Sequence, residues 1–387
     1  MSKDCLIMNK QNSTLLAYDF MLVKGGAESM SVYLCKKFPE VDLCVGFINS
    51  KIFDSVGLLP GRLFILGSIT HLLGWQSLKT AYLFESRKSK IFSHYEKVIF
   101  SGSNAPLAVR HRKSGGNILY CHTPPRFIYD LKEYYFETSK WWQRPLLSLL
   151  IAYLKPKYEK ALLNMDLVIA NSKNVQSRLK KYNNCQSIVI YPPCQTEKYN
   201  WIEQGDFYLS TARVEPYKRV KLIVEAFINM PDKKLVVASG GSQLSELKSL
   251  ASGSNNIEFV GWCEQSLLQK LIGCCIASLY LPIDEDFGIS PVESMAAGKP
   301  VIGVDEGGVR ETVIHNKTGY LCPRNPTVND VMTAVSKMSK EYSFSLKQNC
   351  ITHSETFSEQ TFLNKMEVII NSPADKLREI ALPLSSV

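Results

Sequence analysis

Near the middle of the chain two consecutive prolines, Pro192 and Pro193, interrupt a regular alternation of short apolar runs and amphipathic segments. Neither proline has an N–H to donate and both rings fix φ, so no helix or central strand continues through the step. Before it lie TLLAY (14 to 18), DLCVGF (42 to 47), VIFSG (98 to 102), ILYC (118 to 121), DLVIAN (166 to 171) and SIVIY (187 to 191). After it the pattern restarts with DFYLSTA (206 to 212), KLVVASG (234 to 240), NIEFVG (256 to 261), CIASLYLP (275 to 282), KPVIGV (299 to 304) and GYLC (319 to 322). Short apolar runs separated by helix-length segments predict parallel strands covered by helices on both faces. The expected fold class is α/β, with two Rossmann-like, doubly wound parallel-sheet domains whose strand carboxyl ends face a cleft, the usual ligand position for such sheets. A chain of 387 residues is long enough for two cores. The expected boundaries are 1–191 for the first domain, 192–355 for the second, 356–371 for a last helix and 372–387 for a loose tail.

With 45% hydrophobic and 21% charged residues, the composition is that of a folded chain and excludes extensive disorder. The first residues lack a basic stretch followed by a long apolar run, and no apolar run reaches about 18 residues, the length a membrane span needs. A cytoplasmic protein that is neither exported nor membrane-spanning is expected. Eleven cysteines occur singly except for Cys274-Cys275, with no C-x-x-C, which suits reduced, buried thiols better than a disulfide frame or zinc site. A net charge of +9 favours anionic partners, but the basic residues are spread along the chain with no recognition element, against nucleic-acid binding.

Five stretches carry chemistry. In 19-DFMLVKGGAES-29, Gly25 and Gly26 open a helix, where bare backbone N–H groups and the helix dipole suit an anion; a plain tight turn fits them as well. The sequence is not G-x-G-x-x-G, which argues against a nicotinamide-dependent oxidoreductase or an epimerase of Rossmann type. In 211-TARVEPYKRVKLIVEAF-227, Arg213 leaves a strand and Lys218 precedes a helix, a pairing of bidentate guanidinium and mobile ammonium that suits a diphosphate. Arg219 and Lys221 read as a solvated basic turn.

In 284-DEDFGISPVE-293, Glu285 and Glu293 flank a Gly288-Ile289-Ser290 loop, and Pro291 suits the first turn of a helix containing Glu293. Ionised carboxylates accept in pairs and match adjacent sugar hydroxyls. Asp284 and Asp286 alone would suit a hard cation. In 120-YCHTPPRFIYD-130, His122 leaves a strand at the edge where a general base or a polar substrate contact would lie, although a lone histidine is more often structural. Finally, 140-KWWQRPLLSLLIAYLKPKYEK-160 supports two readings: a core helix with a basic end, or a helix in a membrane interface with Trp141, Trp142 and Arg144 at headgroup level.

Taken together, Gly25-Gly26, Arg213 with Lys218, Glu285-x7-Glu293 and 305-DEGGVRETV-313 resemble the family 4 retaining glycosyltransferases of GT-B architecture over nearly the whole chain. The wording of 120-YCHTPPRFIYD-130 and 210-STARVEPYKRV-220 is further similar to bacterial mannosyltransferases of lipopolysaccharide O-antigen synthesis. The resemblance implies a nucleotide-sugar donor, GDP-mannose first and a UDP-sugar as the alternative, a lipid-linked glycan acceptor and no metal; peripheral contact with an anionic inner-membrane surface is expected separately, from Trp141, Trp142, Arg144 and the lysines flanking Leu146 to Leu154. It assigns Arg213 and Lys218 to the leaving diphosphate, Glu293 to the ribose, Glu285 to the transferred sugar, and Phe287, Gly288, Ile289 and Ser290 to donor contacts largely through amides. Gly25 and Gly26 would meet the diphosphate from the first domain, His122 would lie near the sugar, and the last helix would cross back to the first domain. Two departures stand out: Ala212 and Arg219 replace glycines common at those positions.

Overall fold

The computed structural model describes residues 13–22, 25–49, 61–68 and 75–381. They form two compact units, one with residues up to Asn171, Val175–Ile190 and from Lys365 onward, the other with Ser172–Asn174 and Tyr191–Asn364.

The first unit is built on a seven-stranded sheet of order β3-β2-β1-β4-β5-β6-β7, every pair parallel. Its strands are β1 (Thr14–Tyr18), β2 (Val41–Val45), β3 (Leu63–Ile65), β4 (Lys97–Ser101), β5 (Gly116–Cys121), β6 (Leu167–Ala170) and β7 (Ile188–Val189). The second unit carries a six-stranded parallel sheet of order β10-β9-β8-β11-β12-β13. These strands are β8 (Phe207–Ser210), β9 (Lys234–Val237), β10 (Ile257–Phe259), β11 (Ser278–Tyr280), β12 (Val301–Val304) and β13 (Gly319–Cys322). Central strands such as β1, β4, β6 and β12 are buried along their whole length, which is why they read as continuous apolar runs instead of alternating ones.

In both sheets the winding direction reverses once, between β1 and β4 in the first and between β8 and β11 in the second. Helices leave opposite faces at such a reversal, so the carboxyl ends of the flanking strands stand open to a ligand. Sequence reading finds the strands but not this order, because strand neighbours are chosen by long-range packing.

Some details differ from expectation. The second unit extends to Asn364, beyond the boundary expected at 355. Residues expected as a loose tail form helical turns at Ala374–Lys376 and Leu377–Ala381, and residues 382–387 lie outside the described set. The order has a physical source. Lys97, buried at the start of β4, donates to the Ile370 and Ser372 carbonyls that the helix Glu359–Asn371 leaves open at its end. Leu377 is fully buried, in contact range of Gly116, and Arg378 pairs with Asp166 at 2.8 Å. All described cysteines are free thiols, most of them buried. No described helix is long and apolar enough to cross a membrane.

Candidate functional site

In the second unit the charged residues singled out from the sequence gather at the reversal point. Arg213 follows β8 and is exposed. Lys218 closes the turn Pro216–Lys218 and is buried. The loop after β11 brings Glu285 onto the Lys218 ammonium, an ion pair that the Tyr280 hydroxyl supports by accepting from the same ammonium at 3.4 Å. Lys218 is thus not the mobile ammonium expected: its charge is held in place from two sides. A cation already held in place by its neighbours costs no reorganisation when an anion meets it.

Glu293 sits on the helix Ile289–Ala296, where the Tyr199 hydroxyl donates to its Oε1 at 2.6 Å. Burial pushes the Glu293 carboxyl above its ordinary pKa, and the Tyr199 bond opposes that rise. Ile289 and Ser290, expected in a flexible loop, are the first residues of this helix, and Gly288 caps it with φ of 91°. That left-handed backbone is open to glycine at little cost, and it leaves the first helical N–H groups without intrahelical acceptors. Phe287 is a correction to the expected donor contacts. Its ring is 3% exposed, packed on Tyr191 and Phe357, so the side chain belongs to the core and only its backbone borders the site.

The 305-DEGGVRE-311 segment has a structural task that its glycines explain. Gly307 has φ of 58°, and a Cβ there would stand 2.6 Å from the Glu285 backbone N. Gly308 donates its N–H to the Glu285 carbonyl at 2.7 Å, so the two bare residues let one loop lie directly on the loop carrying Glu285. Glu311 accepts from the Lys173 and Asn174 N–H groups at 2.7 Å each, capping the helix Lys173–Asn183. Asp284, with φ of 41°, accepts from Asn174 Nδ2 at 3.2 Å, and the Asp286 carbonyl accepts from the Ser172 hydroxyl. Both aspartates are therefore parts of the loop framework. Among the described residues, no group of three or more His, Cys, Asp or Glu side chains is arranged to hold a metal ion.

At the reversal point of the first unit the groups are polar but held neutral. Tyr18, Ser101 and Tyr120 lie side by side in register at the ends of β1, β4 and β5. His122 follows β5, its Nε2 at 2.9 Å from Ser101 Oγ and its ring edge-on to Tyr18. Burial lowers the His122 pKa to about 4, which keeps the imidazole uncharged at neutral pH.

Gly25 caps the helix Gly26–Lys37, with φ of −109°, extended backbone open to any residue. The bare backbone leaves room for Glu28: a Cβ on Gly25 would stand 2.5 Å from Glu28 Oε2 and would displace that carboxyl group. The Glu28 carboxyl folds back onto the Gly25 N–H and bonds to the Tyr18 hydroxyl, and burial raises its pKa. The helix N-terminus expected to meet a diphosphate is thus already capped by a carboxyl group of its own first turn. Sequence reasoning passed over Glu28, although its place three residues after the cap is that of a capping-box glutamate. It also passed over Asp19, whose buried carboxylate accepts from the N–H groups of Ser103, Asn104 and Ala105 and fixes the turn after β4. Tyr199 gave no local signal, since it reaches Glu293 across 94 positions.

Trp141, Trp142 and Arg144 stand at the start of the helix Arg144–Leu162, exposed. That helix buries Ile151, Leu154, Tyr158, Ala161 and Leu162, so the core reading holds for one of its faces.

Residues 195–356 match the family model for glycosyl transferases group 1. The alpha-1,3/1,6-mannosyltransferase ALG2 of Dictyostelium discoideum is 33% identical over 210 residues, covering 46% of this chain and 49% of that protein. The Mus musculus GDP-Man:Man(3)GlcNAc(2)-PP-Dol alpha-1,2-mannosyltransferase is 26% identical over 229 residues, covering 51% of this chain and 46% of that protein. The chain therefore spans about half the length of these curated relatives. Among solved structures, Anabaena Alr3699/HepE in complex with UDP superposes with a TM-score of 0.68 at 15% identity, over 92% of this chain and 99% of that one, a likeness of fold. Residues 195–356 are thus similar to glycosyl transferases group 1, in a chain whose two parallel-sheet units have the GT-B fold.

Proposed function

We propose that this chain is a retaining glycosyltransferase that moves mannose from GDP-mannose to a lipid-linked oligosaccharide, in the synthesis of an O-antigen or similar surface polysaccharide. The observation that carries the reading is the cluster at the β8/β11 reversal: exposed Arg213, Lys218 held in place by its ion pair with Glu285, and Glu293 on the adjoining helix. Sugar transfer leaves a nucleoside diphosphate whose negative charge grows as the glycosidic bond breaks, and fixed cations stabilise that charge most when they need not move. In this reading Arg213 and Lys218 take the diphosphate, and the first N–H groups of the Ile289–Ala296 helix add donors for phosphate or sugar oxygens. Glu285, already an acceptor for Lys218, turns its remaining oxygen lone pairs to the transferred sugar, and Glu293 accepts from the ribose hydroxyls. In the first unit, neutral His122 can offer a sugar hydroxyl a hydrogen bond without charge.

Mannose, the guanine nucleotide and the lipid-diphosphate acceptor are supported by the activities for which the mannosyltransferase relatives are named. Two cations placed for the diphosphate fill the electrostatic role of a divalent ion, so transfer without metal is part of the proposal. So is a peripheral position at the cytoplasmic face of an anionic membrane, with Trp141, Trp142 and Arg144 toward the lipid. The test offers the purified chain GDP-mannose, UDP-glucose and UDP-N-acetylglucosamine with a synthetic lipid-diphosphate glycan, with and without a strong chelator, and reads product mass and anomeric configuration. Mannose transferred with retention, undiminished by chelator, is expected. Transfer from a UDP-sugar alone would overturn the donor and keep the class. No transfer from any donor, with the fold intact, would overturn the class.

A further inference from the structure

The helix Arg144–Leu162 carries a second stripe, opposite the one it buries. Trp142 stands just before it, and Leu146, Leu149, Tyr153, Lys157 and Lys160 follow at spacings of three and four, which places all six on one helical face. Its apolar members are exposed, Trp142 by 56% and Leu149 by 69%, and Trp141 beside them by 80%. An apolar stripe of this kind, directly opposite a packed face, is uncommon on the surface of a folded unit.

The stripe does not end in solvent. Its last two residues, Lys157 and Lys160, line a cavity of about 520 Å³ that Arg110 and Arg112 close from the other side, on and just after the turn Ala105–His111. One carboxylate, Glu85, stands among these four cations; it takes Lys157 at 2.6 Å, Arg110 at 3.3 Å and the Tyr153 hydroxyl at 2.7 Å. Four positive groups against one negative leave the cavity with a surplus of three charges. Arg112 spends its donors on backbone carbonyls, including Tyr95 at 2.9 Å and Glu96 at 3.0 Å, instead of on a carboxylate. Burial pushes its pKa down to about 10, and the Asp166 carboxylate opposes that fall only in part. The cavity lies toward the amino ends of β5 and β6, where Arg112 and Asn164 precede those strands, whereas Ser101 and His122 lie at the carboxyl ends. It is a different place from the proposed sugar-transfer groups.

We propose that this cavity binds the phosphate of an anionic phospholipid, with the Trp142–Tyr153 stripe lying in the same bilayer surface. It rests on the membrane reading of Trp141, Trp142 and Arg144 and specifies it: the aromatic end enters the interface and the basic end takes a headgroup. Charge complementarity selects the occupant. A protein surface of mixed charge would leave the three excess cations unpaired, while a bilayer offers apolar depth beside a dense layer of phosphates.

Vesicle flotation of the full chain tests this without any sugar donor, so the result is independent of the transferase reading. Binding to vesicles of phosphatidylcholine mixed with phosphatidylglycerol is expected, and the double variant Arg110→Gln/Lys160→Gln should weaken it about 30-fold, since each basic residue near such a surface contributes roughly five-fold. Trp142→Ser/Leu149→Ser should weaken binding to phosphatidylcholine vesicles as well. Circular dichroism and the melting midpoint confirm that each variant is folded, and transfer to a water-soluble acceptor should be unchanged in the charge variant. Unaltered binding of the charge variant to mixed vesicles, with the apolar variant impaired, would overturn the cavity and spare the stripe. Failure of the wild-type chain to bind any vesicle would overturn both. Release by inorganic phosphate beyond the effect of chloride at equal ionic strength would assign the cavity to free phosphate, and a stable dimer that loses vesicle binding would assign the stripe to a second copy; either overturns the proposal.

Discussion

The two reversal points solve one problem in opposite ways. At the β8/β11 point the second unit holds its charged groups in ion pairs, Lys218 with Glu285 and Arg219 with Glu306. At the β1/β4 point burial shifts groups of the first unit toward their neutral forms: His122 is held below its ordinary pKa, and Glu28 and Tyr18 above theirs. The contrast teaches where each unit can work. Fixed charge is useful against a leaving diphosphate, and uncharged donors and acceptors can add hydrogen bonds to sugar hydroxyls without a further charge to desolvate.

Lys218→Ala should break the charged side most severely. Loss of a preorganised cation at a developing diphosphate is expected to lower transfer roughly 10²–10³-fold, read as kcat with saturating donor while circular dichroism stays unchanged. A kcat within a few-fold of wild type would remove Lys218 from the leaving-group role. Next comes a matched pair of amide substitutions. Glu285→Gln leaves the buried Lys218 ammonium without its counter-charge, so unfolding stability should fall by about 2–3 kcal/mol in denaturant titration, and transfer should fall with it. Glu28→Gln retains a carbonyl that can accept from the Gly25 N–H and the Tyr18 hydroxyl, and its group is one the fold already holds toward neutrality, so its cost should stay under about 1 kcal/mol. Equal costs in the two variants would erase the contrast between the units.

A smaller effect is expected from pH. Burial lowers the folded pKa of His122 from its ordinary 6.5 to about 4, so the unfolded chain binds a proton that the folded one resists. The contribution to stability is therefore complete above about pH 6.5 and is lost as pH falls toward 4. Because the ring keeps some contact with solvent, a loss of about 1–2 kcal/mol is expected across that window. His122→Asn should flatten the slope in a stability-versus-pH series, and an unchanged slope would place its origin in other groups.

The same contrast governs what the sequence showed. Charges announce themselves: Arg213, Lys218, Glu285 and Glu293 were legible because few other reasons put them at the ends of apolar runs, and the parallel α/β class was legible because buried strands cannot alternate. The neutral cluster was not. A tyrosine ending a strand or a glutamate in a first helical turn has ordinary structural uses, and only tertiary packing shows that Tyr18, Glu28 and His122 share one edge. Phe287 misled for the opposite reason, since its place inside an informative motif concealed a core residue. The helix Arg144–Leu162 left two readings open because it buries one set of side chains and exposes another that is aromatic and apolar.

Arg219 carries the smallest expected effect. Its φ of 53° is a left-handed conformation that costs an L-residue about 1 kcal/mol, and glycine would relieve it. Two terms oppose the gain: glycine loses roughly 0.5–1 kcal/mol more backbone entropy on folding, and the substitution removes the guanidinium that pairs with the buried Glu306 at 3.1 Å. Arg324 stands 3.6 Å from the same carboxylate and can take over part of that pairing. Relief and entropy nearly cancel, so the remaining ion-pair loss sets the sign, and Arg219→Gly should destabilise the chain by about 1 kcal/mol or less in denaturant titration. Arg219→Lys, which keeps both the strain and the charge, should cost less than glycine does. A net gain on Arg219→Gly would show that strain outweighs pairing here, and that the second unit tolerates the arginine at this turn without being stabilised by it.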